Sequence, residues 1–321
     1  MNNRLEFLCS EPLRLDLFLA KELDQTRSQT AQLIKQEVVS VDGKIVNRAG
    51  VKLKVGQSIV VVLPQPKQTE PLEVNFDVEI LYEDEDLLVI NKPTGVTVHG
   101  APSVKDATLV DWLKHKGVRL STISGEERHG IVHRLDKGTS GVMVVAKNNE
   151  SHEFLSQQLQ DKSMGRYYLA VITPKLKENL TVVECSIARS SANRLKMGCN
   201  ESGKYAKSAF AHLALSNDET KQLIACKLFT GRTHQIRVHL ESMSRHIIGD
   251  HLYGGTAKGE GSVNRIMLHA YSIYFIHPKT KKMMQFQAPL DKEMLAYVEE
   301  KFQVERDSEI FNSEFITHCF H

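Results

Sequence analysis

The chain has 321 residues, 41% of them hydrophobic and 25% charged, with a net charge of +2. This is the composition of an ordinary globular protein of about two domains, at roughly 100–200 residues each. A balance so close to neutral carries no global nucleic-acid signature, so any such signal has to be local. No apolar run approaches the roughly 20 residues of a membrane span, and Met1–Ser10 lacks the apolar core of a signal peptide. Five scattered cysteines without a CxxC pair fit reduced thiols in a cytoplasm better than a disulfide framework or a zinc site. The expectation is a cytoplasmic protein with no membrane partner.

Residues 13–63 predict a small α/β domain. Leu15, Phe18, Leu19 and Leu23 recur at helical spacing. So do Ala31, Leu33 and Ile34 in a second segment, with Thr26 or Ser28 as N-cap. Val38–Val46 reads as strand, Asp42-Gly43 turn and strand, and Ser58–Leu63 as a further strand. Arg14, Arg27, Lys35 and Lys44, with Arg48, Lys52 and Lys54, stud this stretch, while Glu22, Asp24 and Glu37 offset part of the charge. On charge alone, an RNA-facing patch and a solvated surface are equally good readings. Three prolines between 64 and 71 predict an extended linker over residues 64–77.

Beyond the linker, Leu87–Ile90 reads as a buried strand ended by a turn, Asn91-Lys92-Pro93-Thr94-Gly95-Val96. The acidic run Glu83–Asp86 reads as a hairpin tip rather than a cation site. Leu109, Trp112 and Leu113 share a helical face. In His133–Lys147 a polar loop carries Asp136 between Arg134 and Lys137, then passes through Thr139-Ser140-Gly141 into Val142–Val145. That is turn chemistry feeding a buried strand. Taken alone, an acid among cations is more often a salt-bridged turn than a reactive group. Asn148 or Asn149 caps a helix carrying Phe154, Leu155 and Leu159. Gly165–Ile172 is a strand with Tyr168 and Ala170 on one face and Tyr167, Leu169 and Val171 on the other.

Arg189–Lys207 is a long basic segment (Arg189, Arg194, Lys196, Lys204, Lys207) with only Glu201 opposing it, a candidate RNA-facing loop. The Thr230-Gly231 turn opens a helix with Ile236 and Leu240 four apart. Arg232, His234, Arg237 and His239 gather donors there. His234 and His239 are five apart with no H-E-x-x-H pattern, so no metal is expected. Gly249–Gly255 is a loop, Tyr271–Ile276 and Met283–Gln287 are strands, and a terminal helix covers 291–302. The chain has no dinucleotide fingerprint and no P-loop.

Five strings occur in a telling order: His133–Lys147; Arg166-x-Tyr168-x-Ala170; Thr230–Arg237; Gly249-Asp250 with Tyr253-Gly254; and Leu268-His269-Ala270 with His277-Pro278. Together, over about residues 78–300, they resemble the RluA/RluD-type family of pseudouridine synthases. Arg14–Leu19, Thr26-Arg27-Ser28 and Val39–Lys44 resemble the S4-type RNA-binding domain. The resemblance implies an α+β fold: a mixed, mainly antiparallel β-sheet with flanking helices and loops at 78–303, plus a small α/β S4-like domain at 13–63. The tail 304–321 lies beyond it.

The implied reaction breaks the nitrogen–carbon glycosidic bond of uridine, rotates the base and rejoins it through ring carbon 5, with no cofactor, ATP or metal. The implied catalytic carboxylate is Asp136, with Arg237 as its ion-pair partner and Tyr168 stacked on the flipped base. Leu268 is a wall of the base pocket, and Arg134 supports flipping by filling the vacated stack. Attack on the sugar, attack on the ring and proton abstraction by Asp136 all stay open. RNA-binding candidates are Arg14, Arg27, Lys35 and Lys44 in the small domain, and Arg194, Lys196, Arg232 and His234 in the large one. The implied partner is structured RNA met by a monomer, large-subunit ribosomal RNA ahead of transfer RNA. Gly138 departs from an acidic residue common in the family, and Arg166 stands where lysine also occurs.

Two rivals remain. One is an aspartyl-phosphate enzyme built on Asp136-Lys137-Gly138-Thr139, although such an aspartate follows its strand rather than preceding it. The other is a catalytically inactive RNA-binding or ribosome-assembly factor, against which Asp136, Tyr168 and Arg237 stand.

Overall fold

The computed structural model describes residues 4–23, 25, 27–62, 72–100, 104–124, 128–254 and 263–320, with only the backbone of Ser28. The chain divides into two units, Met1–Pro71 and Leu72–His321.

The first unit runs β1 (Arg4–Leu8), α1 (Leu15–Glu22), α2 (Arg27–Lys35), β2 (Val39–Val41), β3 (Lys44–Ile45) and β4 (Ser58–Val62). Its antiparallel sheet has the order β1-β4-β2-β3. The apolar stripe of α1, Leu15, Phe18 and Leu19, meets Ile34 of α2 and Val39, Ile59 and Val61 of the sheet in one buried core, as an amphipathic helix on a half-buried sheet requires. Strand β1 starts ahead of the expected boundary at 13 and pairs with β4 from Arg4↔Val62 to Leu8↔Ser58. The Thr26 cap lies outside the described residues, and Ser28 falls inside α2 rather than before it.

The second unit begins with the last residues of the expected linker. Val74 and Phe76 pack on its core, and Val78 is buried. Then come β5 (Glu79–Glu83), β6 (Leu87–Lys92), α3 (Leu109–His115), β7 (Ser140–Ala146), α4 (Asn149–Asp161), β8 (Gly165–Thr173) and β9 (Leu180–Arg189). They are followed by β10 (Met197–Cys199), β11 (Lys204–Leu215), β12 (Gln222–Leu228), α5 (Gln235–Ser242), β13 (His246–Ile247), β14 (Leu268–Ile276), β15 (Met283–Gln287), α6 (Lys292–Phe302) and α7 (Ser313–His318). The main sheet runs β10-β9-β11-β12-β8-β14-β7-β6-β5, with β13 on β8 and β15 on β14. It is mostly antiparallel, and β14 joins β7 in parallel, His269 opposite Ser140 and Ala270 opposite Gly141.

The runs Leu87–Ile90, Val142–Val145 and Leu169–Ile172 are all buried, which is why they read as continuous apolar stretches instead of alternating ones. Helix α4 starts at Asn148, whose side chain accepts the Ser151 amide, the usual solution for an orphan N-terminal donor. Gly141 has φ +117°, and a Cβ there would lie 2.1 Å from the Ala270 carbonyl oxygen. Only glycine lets β7 come that close to β14.

Three expectations change, and the tail gains a place in the fold. The basic segment 189–207 is no open loop: it is the end of β9, the short strand β10 and the start of β11. Strand β14 starts at Leu268, not Tyr271. The tail 304–321 packs on the second unit, with Phe311 and Ile316 in its core and the Tyr271 hydroxyl donating to the Phe311 carbonyl at 2.5 Å. Finally, Cys185 and Cys199 are disulfide-bonded, while Cys9, Cys226 and Cys319 are free. The two cysteines are 14 residues apart, and the β9–β10 hairpin folds that separation back on itself.

Candidate active site

Asp136 sits in the loop that enters β7, and that loop is clasped from the turn after β6. The Gly95 amide donates to the Lys137 carbonyl at 2.8 Å, and Thr94 Oγ1 donates to the Gly138 carbonyl at 2.9 Å. Lys92 is fully buried. Its ammonium donates to the carbonyls of Pro93 (2.7 Å), Val96 (2.8 Å) and Lys137 (3.5 Å). Burial brings its pKa down to about 7, against the attraction of Asp136, because a charge removed from water is disfavoured. Below the loop, Ser140 Oγ accepts from buried Arg265 at 2.9 Å and lies 2.7 Å from His269 Nδ1. Arg265 also pairs with Asp291.

Arg237, on the first turn of α5, reaches Asp136 from the other side. Its Nη1 is 3.3 Å from Asp136 Oδ2. Its Nε and Nη2 grip Asp250 at 2.7 and 2.8 Å, and its guanidinium lies 4.7 Å over the Tyr253 ring. The bidentate fork to Asp250 fixes the plane, so only the remaining nitrogen faces Asp136. Asp250 is itself held by the amides of Leu252 and Tyr253. His234, just ahead of α5 with φ +57°, has Nε2 3.8 Å from Asp136 Oδ2 and Nδ1 2.9 Å from the Tyr253 hydroxyl. Burial lowers the His234 pKa, more than Asp136 raises it, so the ring is uncharged at neutral pH. Gln235 explains the local motif: it accepts from Thr230 Oγ1 and the Arg232 amide and donates to the Lys207 carbonyl and Ser208 Oγ, closing the Thr230–Arg232 turn.

These groups border a cavity of about 700 Å³. Tyr168 and Leu268 line it, from neighbouring strands β8 and β14. Tyr168 is 5% exposed, and burial raises its pKa, which keeps it a neutral phenol. Arg134 is at the exposed side, with Nη1 3.1 Å from His99 Nε2. Among the described residues that line the cavity, Asp136 is the only carboxylate, against Arg128, Arg134, Lys162, Arg166, Arg232 and Arg237.

The structure thus brings Asp136, Tyr168, Arg237, Arg134, Leu268, Arg232 and His234 around one cavity. His239 is not among them: it is fully buried on α5, and burial holds its pKa at about 4. Lys196 bonds Glu241 at 3.0 Å and lies over the Tyr253 ring. Arg194 is exposed at the β9–β10 turn. In the first unit, Arg14 (3.0 Å) and Arg27 (2.8 Å) both donate to the buried Asp16. The hydrogen bonds from Arg14 lead in holding that carboxyl at about 2. Two RNA candidates therefore also serve the small domain's own fold, while Lys35 and Lys44 are exposed.

Asp250, Tyr253, Gln235 and Lys92 had no assigned role in the sequence reading, although the first three lie in quoted motifs. Asp84, Asp86 and His277 also cluster. The amides of Lys279 and Thr280 donate to His277 Nδ1, so Nε2 carries the proton given to Asp84 at 2.7 Å. This leaves no imidazole lone pair for a cation. The trio braces the β5–β6 hairpin.

A large, mostly antiparallel sheet carries a cleft in which one acid among the described lining residues faces several cations, an arrangement that suits an enzyme acting on an anionic polymer. The sequence matches the RNA pseudouridylate synthase family over residues 86–242 and the S4 domain over residues 13–59. An RNA pseudouridine synthase of Helicobacter pylori strain J99 is 48% identical over 314 residues, covering 96% of this chain and 95% of that one. Ribosomal large subunit pseudouridine synthase D of Zymomonas mobilis is 37% identical, covering 88% of this chain and 91% of its own. Human RNA pseudouridylate synthase domain containing 1 shares the fold, with a TM-score of 0.55 at 24% identity over 67% of this chain and 84% of that chain. The chain belongs to the RNA pseudouridylate synthase family and isomerises uridine in RNA to pseudouridine.

Proposed function

We propose that this enzyme modifies uridines of large-subunit ribosomal RNA and that Asp136 is its catalytic carboxylate. The observation that carries the assignment is the cleft itself: the one acid among its described lining residues is gripped by an arginine already immobilised on Asp250. The reaction breaks C1′–N1 and forms C1′–C5; the hydrogen on C5 leaves as a proton and N1 gains one, so no redox partner enters. Tyr168 and Leu268 form the walls between which the base lies. Arg134, at the exposed rim, fills the stack the base has left, which offsets part of the few kcal/mol that flipping costs. His234, uncharged and tethered to Tyr253, acts inside the cleft rather than as a phosphate-binding cation. Arg232 and Arg194, with Lys35 and Lys44 of the small domain, are the outward cations for the RNA backbone. The ribosomal target is supported by the Zymomonas mobilis relative and by its Nitrosomonas europaea counterpart of the same name, 36% identical over 89% of this chain.

Because the C5 hydrogen is lost, RNA tritiated at uracil C5 reports turnover by tritium release. Asp136→Asn and Asp136→Ala are expected to release none above background while melting as the parent does. Release at the parent rate by purified Asp136→Ala would end the assignment. Pseudouridine mapping in cells lacking the protein tests the target: sites missing from transfer RNA alone would replace ribosomal RNA as substrate.

A further inference from the structure

Among the described cations that line the cleft and that the mechanism leaves unused, Arg128 and Lys162 are exposed and Arg166 is set deeper. It lies on β8 two residues before Tyr168, so both side chains leave the same face of the strand, about 7 Å apart. Its backbone is held on both sides, opposite Leu228 of β12 and Ile273 of β14, so the mount is rigid. The side chain borders the cavity beside Tyr168, yet among the described residues no carboxylate or carbonyl takes its protons, and its buried Nε has no partner.

The chain nevertheless reserves space for it. A Cβ at Gly231 would lie 3.1 Å from both Nη1 and Nη2, so glycine in the Thr230–Arg232 turn lets the guanidinium lie flat against the backbone. Burial raises the Tyr168 pKa and lowers that of His133; the Arg166 charge opposes the first shift and adds to the second.

Among the described lining residues the one acid, Asp136, is already engaged by Arg237, so the Arg166 guanidinium calls for an anion from outside. Uracil and ribose are neutral; the charged part of the incoming nucleotide is its phosphate. The spacing from Tyr168 to Arg166 is comparable to the span from a base to its own phosphate, and a planar fork of donors suits phosphate oxygens. We propose that Arg166 is the phosphate-binding residue of the cleft, its guanidinium taking a phosphodiester oxygen next to the flipped uridine. This rests on the cleft being where the uridine enters.

The test uses the full chain and a 23S ribosomal RNA transcript tritiated at uracil C5. Arg166→Gln is expected to lower kcat/KM about tenfold or more at low salt, as loss of a charge-assisted contact does. It should also flatten the slope of log kcat/KM against log salt by about 0.7–0.9, the equivalent of one phosphate contact. Arg166→Lys keeps the charge and should keep the slope, even if part of the rate is lost. A defect of packing alone would lower the rate without moving the slope.

With the modified site mapped, a short RNA carrying one methylphosphonate at either phosphate flanking the target reads the contact directly. One of the two substitutions should slow the parent enzyme about tenfold and slow Arg166→Gln no further. An unchanged salt slope in Arg166→Gln, or a parent enzyme that tolerates both methylphosphonates, overturns the phosphate assignment. Tritium release surviving in Asp136→Asn instead overturns the reading of the cleft, whatever Arg166 does.

Discussion

Replacing Asp250 by alanine separates the two carboxylates that share Arg237. The Arg237 side chain is 12% exposed and that of Asp250 1%. In Asp250→Ala, Arg237 keeps the 3.3 Å approach of Nη1 to Asp136 and its place over the Tyr253 ring, but its Nε and Nη2 are left in a buried space without acceptors. The amides of Leu252 and Tyr253 lose theirs as well. Removing one member of a buried ion pair costs about 3–5 kcal/mol. In a domain of this size 1 kcal/mol shifts Tm by about 2–4 °C, which puts the melt about 6–20 °C below the parent. The released guanidinium then turns its fork onto Asp136, so kcat in the tritium assay falls at least about tenfold, the equivalent of 1.4 kcal/mol of transition-state stabilisation. Asp250→Asn keeps an oxygen for the two amides and should lie between. The contrast is Asp136→Asn: at 21% side-chain exposure and with Arg237 still held by Asp250, it should lose activity with little change in Tm. An Asp250→Ala protein that melts within a degree or two of the parent and turns over normally would refute the anchoring of Arg237 by Asp250.

Three further outcomes follow from the geometry. Gly141→Ala drives a Cβ to 2.1 Å from the Ala270 carbonyl and should destabilise the second unit by about 3 kcal/mol or more in urea unfolding; an unchanged midpoint would mean that β14 can retreat. Lys92, at about 7 in the native protein and near 10.4 in an unfolded chain, binds a proton in the unfolded but not the native state between those values. Stability of the parent relative to Lys92→Met should therefore rise with pH through that window, by at most about 1.4 kcal/mol per unit, and denaturation at pH 6.5 and 9 that gave the reverse order would refute it. Deleting residues 1–71 should weaken binding to a ribosomal RNA fragment and flatten its salt dependence; equal affinity by filter binding would make Lys35 and Lys44 a solvated surface only.

Local chemistry was legible wherever one segment carried its own signal. The Thr-Ser-Gly turn into Val142–Val145, the Asn148 cap and the stripe of α1 each follow from residues within a few positions of one another. The grouping of Asp136, Tyr168, Arg237 and Leu268 was implied by the family resemblance that the ordered motifs carry, and the structure sets them around one cavity. Pairings across space were hidden. Arg14 and Arg27 read as surface charge because nothing local marks Asp16 as buried between them. Arg237 was matched to Asp136 alone, since the 13 residues separating it from Asp250 follow no helical or strand period. Lys92 looked like part of a polar turn, yet its stem continues the buried strand β6 and its ammonium closes three carbonyls. The cysteines misled for the same reason: a count and a spacing do not show a hairpin.

The insertion of β14 between β8 and β7 has a consequence for synthesis. Strands β5 to β7 leave the ribosome first and β8 to β12 next, but the two groups share no hydrogen-bonded edge until residues 268–276 arrive to fill the gap. Until then β7 and β8 each present an unpaired edge, a surface that invites wrong partners. The loop that carries Asp136 lacks its backing strand, and the Leu268 side of the cavity does not yet exist. The cleft is therefore incomplete while most of the chain has already been made, and it is finished late, with the strand that closes the sheet.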